Sequence, residues 1–294
     1  MTILDDSLEF LACPEDLGTL VKKENTLVCK SCNKEFKILN ENTVELLPSE
    51  HYKVKLDTTP EYYKIWYDNL LLGNQYVKTD LKDEKIIIPT FLPRGFDEEL
   101  VSKITFPQSS IVCEVGSGVK SLSLQYAKKS KLVFHTDFDL KDIENARKSA
   151  RDQNLKNIVF VMCNYFHLPF KENSLPIVIN TGVLGRHGAE HDDKLLEGLS
   201  KITAYGGKLI FDAYSMERKI LPDINKVGRN FAYHKKDISS IISKFDLHIE
   251  KITGVGYMPI IGNQINKLYS IVNKISKIFL PPSRWIVNCN KFKN

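Results

Sequence analysis

Glycine and proline are sparse, 15 and 12 of 294 residues, which excludes collagen-like and low-complexity chains. Long apolar runs are missing. Stretches such as Lys85-Ile86-Ile87-Ile88-Pro89 fall far short of the roughly 20 residues that span a bilayer as a helix. Six cysteines in a chain of this length do not make a disulfide scaffold. There is no block of five like charges. The net charge of +5 permits an anionic partner, but scattered lysines read as solvated faces rather than as a nucleic-acid track. The opening segment, MTILDDSLEF, is acidic and lacks a basic stretch ahead of an apolar core, so no secretory signal is expected. Three of the cysteines cluster, at Cys13, Cys29 and Cys32, which points to metal in a reducing compartment. The expected location is the cytoplasm.

What is present is the composition of a folded protein, 43% hydrophobic and 26% charged. The length suggests about two domains, or one with an appendage. The texture of the chain divides accordingly. Residues 1–48 form a small unit of short strands and cysteine turns. Residues 49–108 are rich in Tyr, Lys and Asp and read as a helical linker or cap, with helices over 60–72 and 97–104 and an irregular connection between. From residue 109 to 294 apolar strands alternate with amphipathic helices. Strands are expected at 110–115, 132–136, 158–162, 176–180 and 207–213, with helices at 121–129, 140–153 and 191–202. That alternation with short connections predicts an α/β fold with a parallel sheet and helices on both faces. Apolar residues at Ile265, Leu268, Val272, Ile275 and Phe279, with Lys267, Lys274 and Lys277 between them, predict an amphipathic cap within 254–281. Its expected place is against the sheet. A basic helix of this kind also suits a membrane surface.

Two constellations carry chemistry. Cys29-x-x-Cys32 is one half of a zinc ribbon, two thiolates on a tight turn spaced to share one tetrahedral ion. The other half is Cys13-Pro14-Glu15-Asp16, where aspartate stands in the second ligand position. Carboxylate oxygen also ligates zinc, so Cys13, Asp16, Cys29 and Cys32 make a candidate four-ligand, structural site. The alternative is a ribbon held by its small core without metal. The second constellation is Ser110 to Lys120, a buried strand running into Gly116-Ser117-Gly118 and then a helix. Glycines let backbone approach a ligand, and a helix N-terminus supplies unpaired amides. Ser121 replaces the third glycine of a nicotinamide-type fingerprint. About 20 residues on, the next strand ends in Asp137, where a ribose diol is held in such folds.

The N-terminal run, Leu8 to Pro14, Leu27 to Ile38 and Val44 to Pro48, resembles the short zinc-ribbon family that activates tRNA and translation-factor methyltransferases. That family is also found fused to bacterial methyltransferases. Residues 109–213 resemble the class I S-adenosylmethionine (SAM)-dependent methyltransferases, particularly the small-molecule type with Leu168-Pro169-Phe170 after the third strand. The resemblance implies a Rossmann-like class I sheet and SAM as cofactor. It implies that Glu114, Gly116, Ser117 and Gly118 line the methionine and ribose end. Asp137 would take the ribose hydroxyls, Phe138 would lie beside the adenine, and Asn164 with Tyr165 would complete the adenine pocket. The loop after Ile177–Asn180 is where acceptor and methyl group would meet. Arg284 to Val287 looks like the closing edge strand.

Three positions depart from the pattern: Lys120 for a small residue, Asn164 for aspartate, and Pro176 where aspartate begins the fourth strand. A base is needed if the acceptor is a hydroxyl or protonated amine, and His187 is the candidate, with a side-chain pKa in the working range. His191 lies nearby. Tyr233 and His234 read as packing residues near the acceptor loop. The expected activity is methyl transfer to a small-molecule or carrier-linked acceptor. An rRNA or tRNA methyltransferase with the ribbon as RNA module is the second reading. A non-catalytic binding protein is the third. Against RNA, residues 180–187 lack the Asn-Pro-Pro-Tyr type of motif, and no basic stripe with interleaved aromatics stands out.

Overall fold

The computed structural model describes residues 2–49, 76–81, 84–89, 94–118, 122–185, 189–217, 232–257 and 269–293. The chain opens with α1 (Ile3–Ser7), started by a capping box in which Thr2 and Asp5 satisfy each other's backbone amides. The ribbon follows as β1 (Leu20–Lys23), β2 (Thr26–Cys29), β3 (Glu35–Asn40) and β4 (Thr43–Leu46). Successive strands pair antiparallel through short turns. In the segment expected to be helical and irregular, β5 (Tyr76–Leu81) and β6 (Glu84–Pro89) form an antiparallel hairpin. Val77 and Ile86–Ile88 supply the β-branched residues that favour it. The predicted helix at 97–104 is present as α2 (Arg94–Lys103), and the one expected at 60–72 lies outside the described residues.

The alternating half forms as expected. Its elements are β7 (Ile111–Val115), α3 (Ser123–Ala127), β8 (Leu132–Asp137), α4 (Leu140–Asp152), β9 (Ile158–Cys163), β10 (Leu175–Asn180), α5 (Ala189–Ile202) and β11 (Thr203–Tyr214). Then come α6 (Lys235–Ile242), β12 (Leu247–Val255), α7 (Tyr269–Phe279) and β13 (Arg284–Lys291). Strands β9, β8, β7, β10 and β11 run parallel. Every residue of β8 and β9 is buried, the mark of a sheet covered on both faces. One face packs against α5 and α6 through Leu195, Leu199 and Ile238. The other packs against α2, α3 and α4 through Leu100, Tyr126 and Ile143.

Two expectations need correction. Arg284–Lys291 is not an edge strand. It inserts antiparallel between β11 and β12, so β12 forms the edge. Its interior, Ile286, Val287, Asn288 and Cys289, is buried on both faces, whereas β12 carries His248, Glu250 and Lys251 and is half exposed. The amphipathic segment is also shorter than 254–281. Gly254 and Val255 end β12, the helix covers Tyr269–Phe279, and residues 258–268 lie outside the described residues.

The ribbon is not a separate body. Its last strand, β4, pairs parallel with β9, with Thr43 opposite Phe160 and Leu46 opposite Cys163. One sheet of eleven strands therefore runs β1-β2-β3-β4-β9-β8-β7-β10-β11-β13-β12. A second seam lies at Leu11 and Phe170. The Ala12 amide donates to the Pro169 carbonyl, and the Lys171 amide donates to the Phe10 carbonyl. Phe10 and Phe170 both pack edge-on against Phe134, at 5.8 and 5.3 Å between ring centres. Ribbon and sheet thus share one hydrophobic core.

Candidate active site and metal site

The glycine turn leaves β7 at the point where the sheet order reverses, with β8 on one side and β10 on the other. Such switch points open a crevice at the carboxyl ends of the strands. Gly116 and Gly118 have φ of 69° and 60°, a region that favours glycine. The two are needed for different reasons. A Cβ on Gly116 would stand 2.7 Å from Val183 Cγ2, so the turn must fit closely against the loop after β10. A Cβ on Gly118 would meet nothing within 4 Å among the described residues. That open space lies where a ligand would approach the backbone.

Asp137 borders it. Its Oδ2 accepts from the Gly118 amide at 2.7 Å, and its Oδ1 accepts from the Asp139 amide at 3.0 Å. A carboxylate has lone pairs beyond these two bonds, so it can also accept a ribose diol. Asp139 caps α4 through the Lys141 amide, which fixes the exit from β8. The local field is acidic. Burial, then the charges of Asp137 and Asp139, push Asp142 up to about 7.

Phe138 is half-buried beside Asp137. Asn164, at the end of β9, folds back so that its side-chain oxygen accepts from the Phe166 amide at 2.9 Å. That bond places Tyr165 and Phe166 edge to face, 4.5 Å between ring centres. Asn164 therefore shapes the aromatic turn after β9. Ser117 is held by its amide on the Thr136 carbonyl and by its hydroxyl on the Glu114 carbonyl.

Glu114 sits deeper than the resemblance implies. It is fully buried, and its Oε2 accepts from the Ser123 amide at 2.6 Å. Its Oε1 has no partner among the described residues. Burial pushes its carboxyl up to about 7, against the hydrogen bonds from Ser123 and Ser117 that lower it. Ser123 in turn bonds His135 Nδ1 at 2.8 Å. Burial holds His135 down at about 3. Glu114 thus ties β7 to α3 beneath the turn.

The loop after β10 is fixed by Asn180 and Tyr233, which the sequence placed near it, and by Asp192, Asp212 and Arg284, whose part in it the sequence did not show. Asn180 Nδ2 donates to the Val115 carbonyl at 2.8 Å, locking the ends of β10 and β7 together. Asp212 accepts from the Gly182 amide at 2.6 Å and pairs with Arg284, whose second nitrogen donates to the Tyr214 hydroxyl. Asp192 accepts from the Gly185 amide at 2.9 Å and from the Tyr233 hydroxyl. Burial and that bond push the Tyr233 phenol well up, so it stays protonated and donates. Two buried carboxylates therefore pin residues 182–185. The signal was present in Asp212, a charge inside the apolar run Leu209–Ala213, but its partner lies 72 residues away. Pro176 is accommodated by a register irregularity between β10 and β11. Lys120 and His187 lie outside the described residues, as does the side chain of His191. His234 stands at the N-cap position of α6 without a side-chain cap bond and is exposed, 3.8 Å from Glu217.

The ribbon gathers its four candidate ligands. The donor atoms of Cys13, Asp16, Cys29 and Cys32 all lie within 4.8 Å of one another. Cys13 and Cys32 sulfurs are 3.7 Å apart, and Asp16 Oδ1 is 3.3 Å from Cys29 Sγ. Zinc–thiolate bonds of about 2.3 Å in a tetrahedron give a sulfur–sulfur edge of about 3.7 Å. The arrangement fits zinc with three sulfurs and one oxygen. Asp16 is oriented by the Gly18 amide, which also lowers its pKa.

A family description of a methyltransferase domain matches residues 108–286, more than half of the chain. A second, of Trm112p-like proteins, matches residues 6–41. No curated protein matches the sequence. Solved structures with a similar fold include the complex of the Haloferax volcanii Trm112 methyltransferase activator with its methyltransferase. It has 13% identity, covers 67% of this chain and 89% of that one, and gives a TM-score of 0.53. The cyclase SpnF has 12% identity, covers 80% and 95%, and gives 0.54. A geranyl diphosphate C-methyltransferase from Streptomyces coelicolor has 11% identity, covers 66% and 76%, and gives 0.50. The chain belongs to the methyltransferase domain family and is a SAM-dependent methyltransferase that carries a Trm112p-like ribbon in the same polypeptide.

Proposed function

We propose that the protein transfers a methyl group from SAM to a small or carrier-linked acceptor held at the loop after β10. SAM supplies an electrophilic methyl on a sulfonium, and the protein mainly has to orient donor and acceptor. Asp137 and the Gly116–Gly118 turn would hold the ribose and methionine end. Phe138, Asn164 and Tyr165 would shape the adenine end. The acceptor would approach over Asn180–Gly185. A proton released by a hydroxyl or amine acceptor needs a base, and His187 is our candidate.

The observation that carries the acceptor class is the composition and anchoring of that loop. Within Asn180 to Gly185 there is neither an aromatic platform nor a charge, and buried Asp192 and Asp212 fix the Gly182 and Gly185 amides; Arg186 and His187, which follow, lie outside the described residues. A flipped base is ordinarily held by stacking on aromatic or guanidinium planes. The anchored, uncharged stretch from Asn180 to Gly185 suits a small, largely apolar acceptor group better. The ribbon supports the same reading. It joins the sheet at β9, three strands from β10, and spends its apolar residues on the shared core. That is the work of a structural support.

The second reading, an RNA or protein acceptor, is favoured by the Trm112p-like ribbon and by the likeness to the Haloferax complex. Calorimetric titration with SAM, alongside Asp137→Ala, tests the donor site. Labelled-methyl transfer from SAM into cell extract, split into RNA, protein and small-molecule or lipid fractions, tests the acceptor. Label confined to RNA or protein would overturn the acceptor reading while leaving the donor site intact.

A further inference from the structure

Helix α7 is mounted the wrong way round for a soluble protein. Its sequence, Tyr-Ser-Ile-Val-Asn-Lys-Ile-Ser-Lys-Ile-Phe, repeats apolar residues at helical spacing. Such a stripe ordinarily faces the core. Here the residues turned inward are Val272, half-buried, and Asn273, only 8% exposed. Asn273 earns its place by accepting the Tyr257 amide at 2.7 Å. The isoleucine face looks outward. Ile271 and Ile275 are 56% and 55% exposed, and Ile278 and Phe279 are 75% and 76% exposed. At roughly 150–250 Å² for a large side chain, these four present on the order of 500 Å² of contiguous apolar surface. A patch of that size on a monomer marks a contact site.

The charges around it select the partner. The helix has no acidic residue, and Lys274 and Lys277 are exposed on it. Lys277 also stands over the Tyr257 ring, 5.5 Å from its centre, which holds one cation at the rim of the patch. A helix with an apolar stripe and lysines as its only charges matches the boundary between headgroups and acyl chains of an anionic bilayer. The helix is also short, and among the described residues no helix is long and apolar enough to cross a membrane. It would lie in the interface plane.

We propose that α7 is a membrane-surface anchor that inserts Ile271, Ile275, Ile278 and Phe279 into an anionic lipid leaflet, with Lys274 and Lys277 at the headgroups. Position in the fold gives this a purpose. Phe279 is five residues ahead of Arg284, the partner of the carboxylate that holds Gly182. The anchor therefore lies at the same carboxyl edge of the sheet as the acceptor loop. The anchor itself does not depend on the identity of the acceptor.

The test is co-sedimentation of the full-length protein with vesicles of phosphatidylcholine, with and without phosphatidylglycerol. Binding is expected to the mixed vesicles and to fall as salt rises. Ile278→Ser with Phe279→Ser should weaken it about tenfold or more, since two exposed side chains lose their burial in lipid. Lys274→Glu with Lys277→Glu should weaken it by a similar factor at low salt only. Ile278 and Phe279 face outward, so Ile278→Ser/Phe279→Ser should leave the thermal midpoint and the SAM affinity unchanged. No binding to mixed vesicles would overturn the proposal, as would binding that ignores both double variants. A concentration-dependent dimer that Ile278→Ser/Phe279→Ser dissolves would overturn it too, because the patch would then belong to a second copy.

Discussion

Replacing Arg284 with methionine should be among the costliest single changes outside the sheet's apolar core. Arg284 is about one-tenth exposed and faces Asp212, which is less exposed still. The guanidinium also donates to the Tyr214 hydroxyl and lies 4.6 Å from that ring's centre. Methionine fills much of the volume but removes the cation. Asp212 would keep only the Gly182 amide as a donor. Stranding a buried charge in this way costs about 3–5 kcal/mol. At about 2–4 °C per kcal/mol for a domain of this size, the thermal midpoint should drop by about 10 °C. Asp212→Asn alone should cost a similar amount, because it strands the arginine. The double variant Asp212→Asn/Arg284→Met is the informative one. It leaves a neutral pair, and the asparagine oxygen can still accept from Gly182. Its loss should be smaller than the sum of the single losses by at least about 2 kcal/mol, a coupling expected only of residues in direct contact. Urea unfolding of the four proteins, followed by far-ultraviolet circular dichroism, closes the cycle. A single-variant cost under about 1 kcal/mol, or additive costs, would refute the buried-pair argument.

Other expectations can be checked with the same protein. Gly118→Val should abolish SAM binding in calorimetry while lowering stability by only about 1–2 kcal/mol, because the added side chain enters open space and the cost is the left-handed backbone. For Glu114, the folded value of about 7 lies above that of an unfolded glutamate, so its stabilising contribution is complete below about 4.5 and is lost as pH rises through 7. Glu114→Gln should remove that fall, gaining on the native protein by up to about 3 kcal/mol between about pH 5 and pH 8. A gap between the two urea midpoints that does not change with pH would contradict this. Plasma emission should find one zinc per chain, and Cys29→Ala should lose it, whereas Asp16→Cys should retain zinc against a stronger chelator. Phe170→Ala should cost about 3–5 kcal/mol and still give a single calorimetric transition, since the ring joins the two halves of one core.

The parallel sheet was legible because its strands are apolar throughout and its helices carry strong periodicity. Ile158–Cys163 and Leu140–Asp152 came within a residue of their predicted bounds. The glycine turn and Asp137 were legible because their spacing is local. What escaped was everything set by distant pairing. Arg284–Val287 was identified as a strand, but its extension to Lys291 and its place between β11 and β12 depend on a chain that passes the edge and returns. Leu247–Val255 mixes charged and apolar residues and showed no clean alternation. The pairs Asp212–Arg284 and Asp192–Tyr233 join residues 72 and 41 positions apart, which no local pattern reveals. The periodicity of α7 was read correctly, but periodicity does not say which face meets the body of the protein. The ribbon was recognised as a unit, yet its continuity with the sheet through β4 and β9 left no trace in the spacing of its cysteines.

That continuity also sets a timetable for synthesis. Thr43 pairs with Phe160, so β4 leaves the ribosome well before its partner exists. The intervening stretch is about 117 residues, and at about 5–20 residues per second the ribbon would wait roughly 6–23 seconds with a bare edge. An unpaired edge strand is a template for wrong partners. The nascent ribbon would therefore be the part of this protein most in need of a chaperone. Shortening the delay, by moving the ribbon to the other end of the gene, should raise the soluble yield.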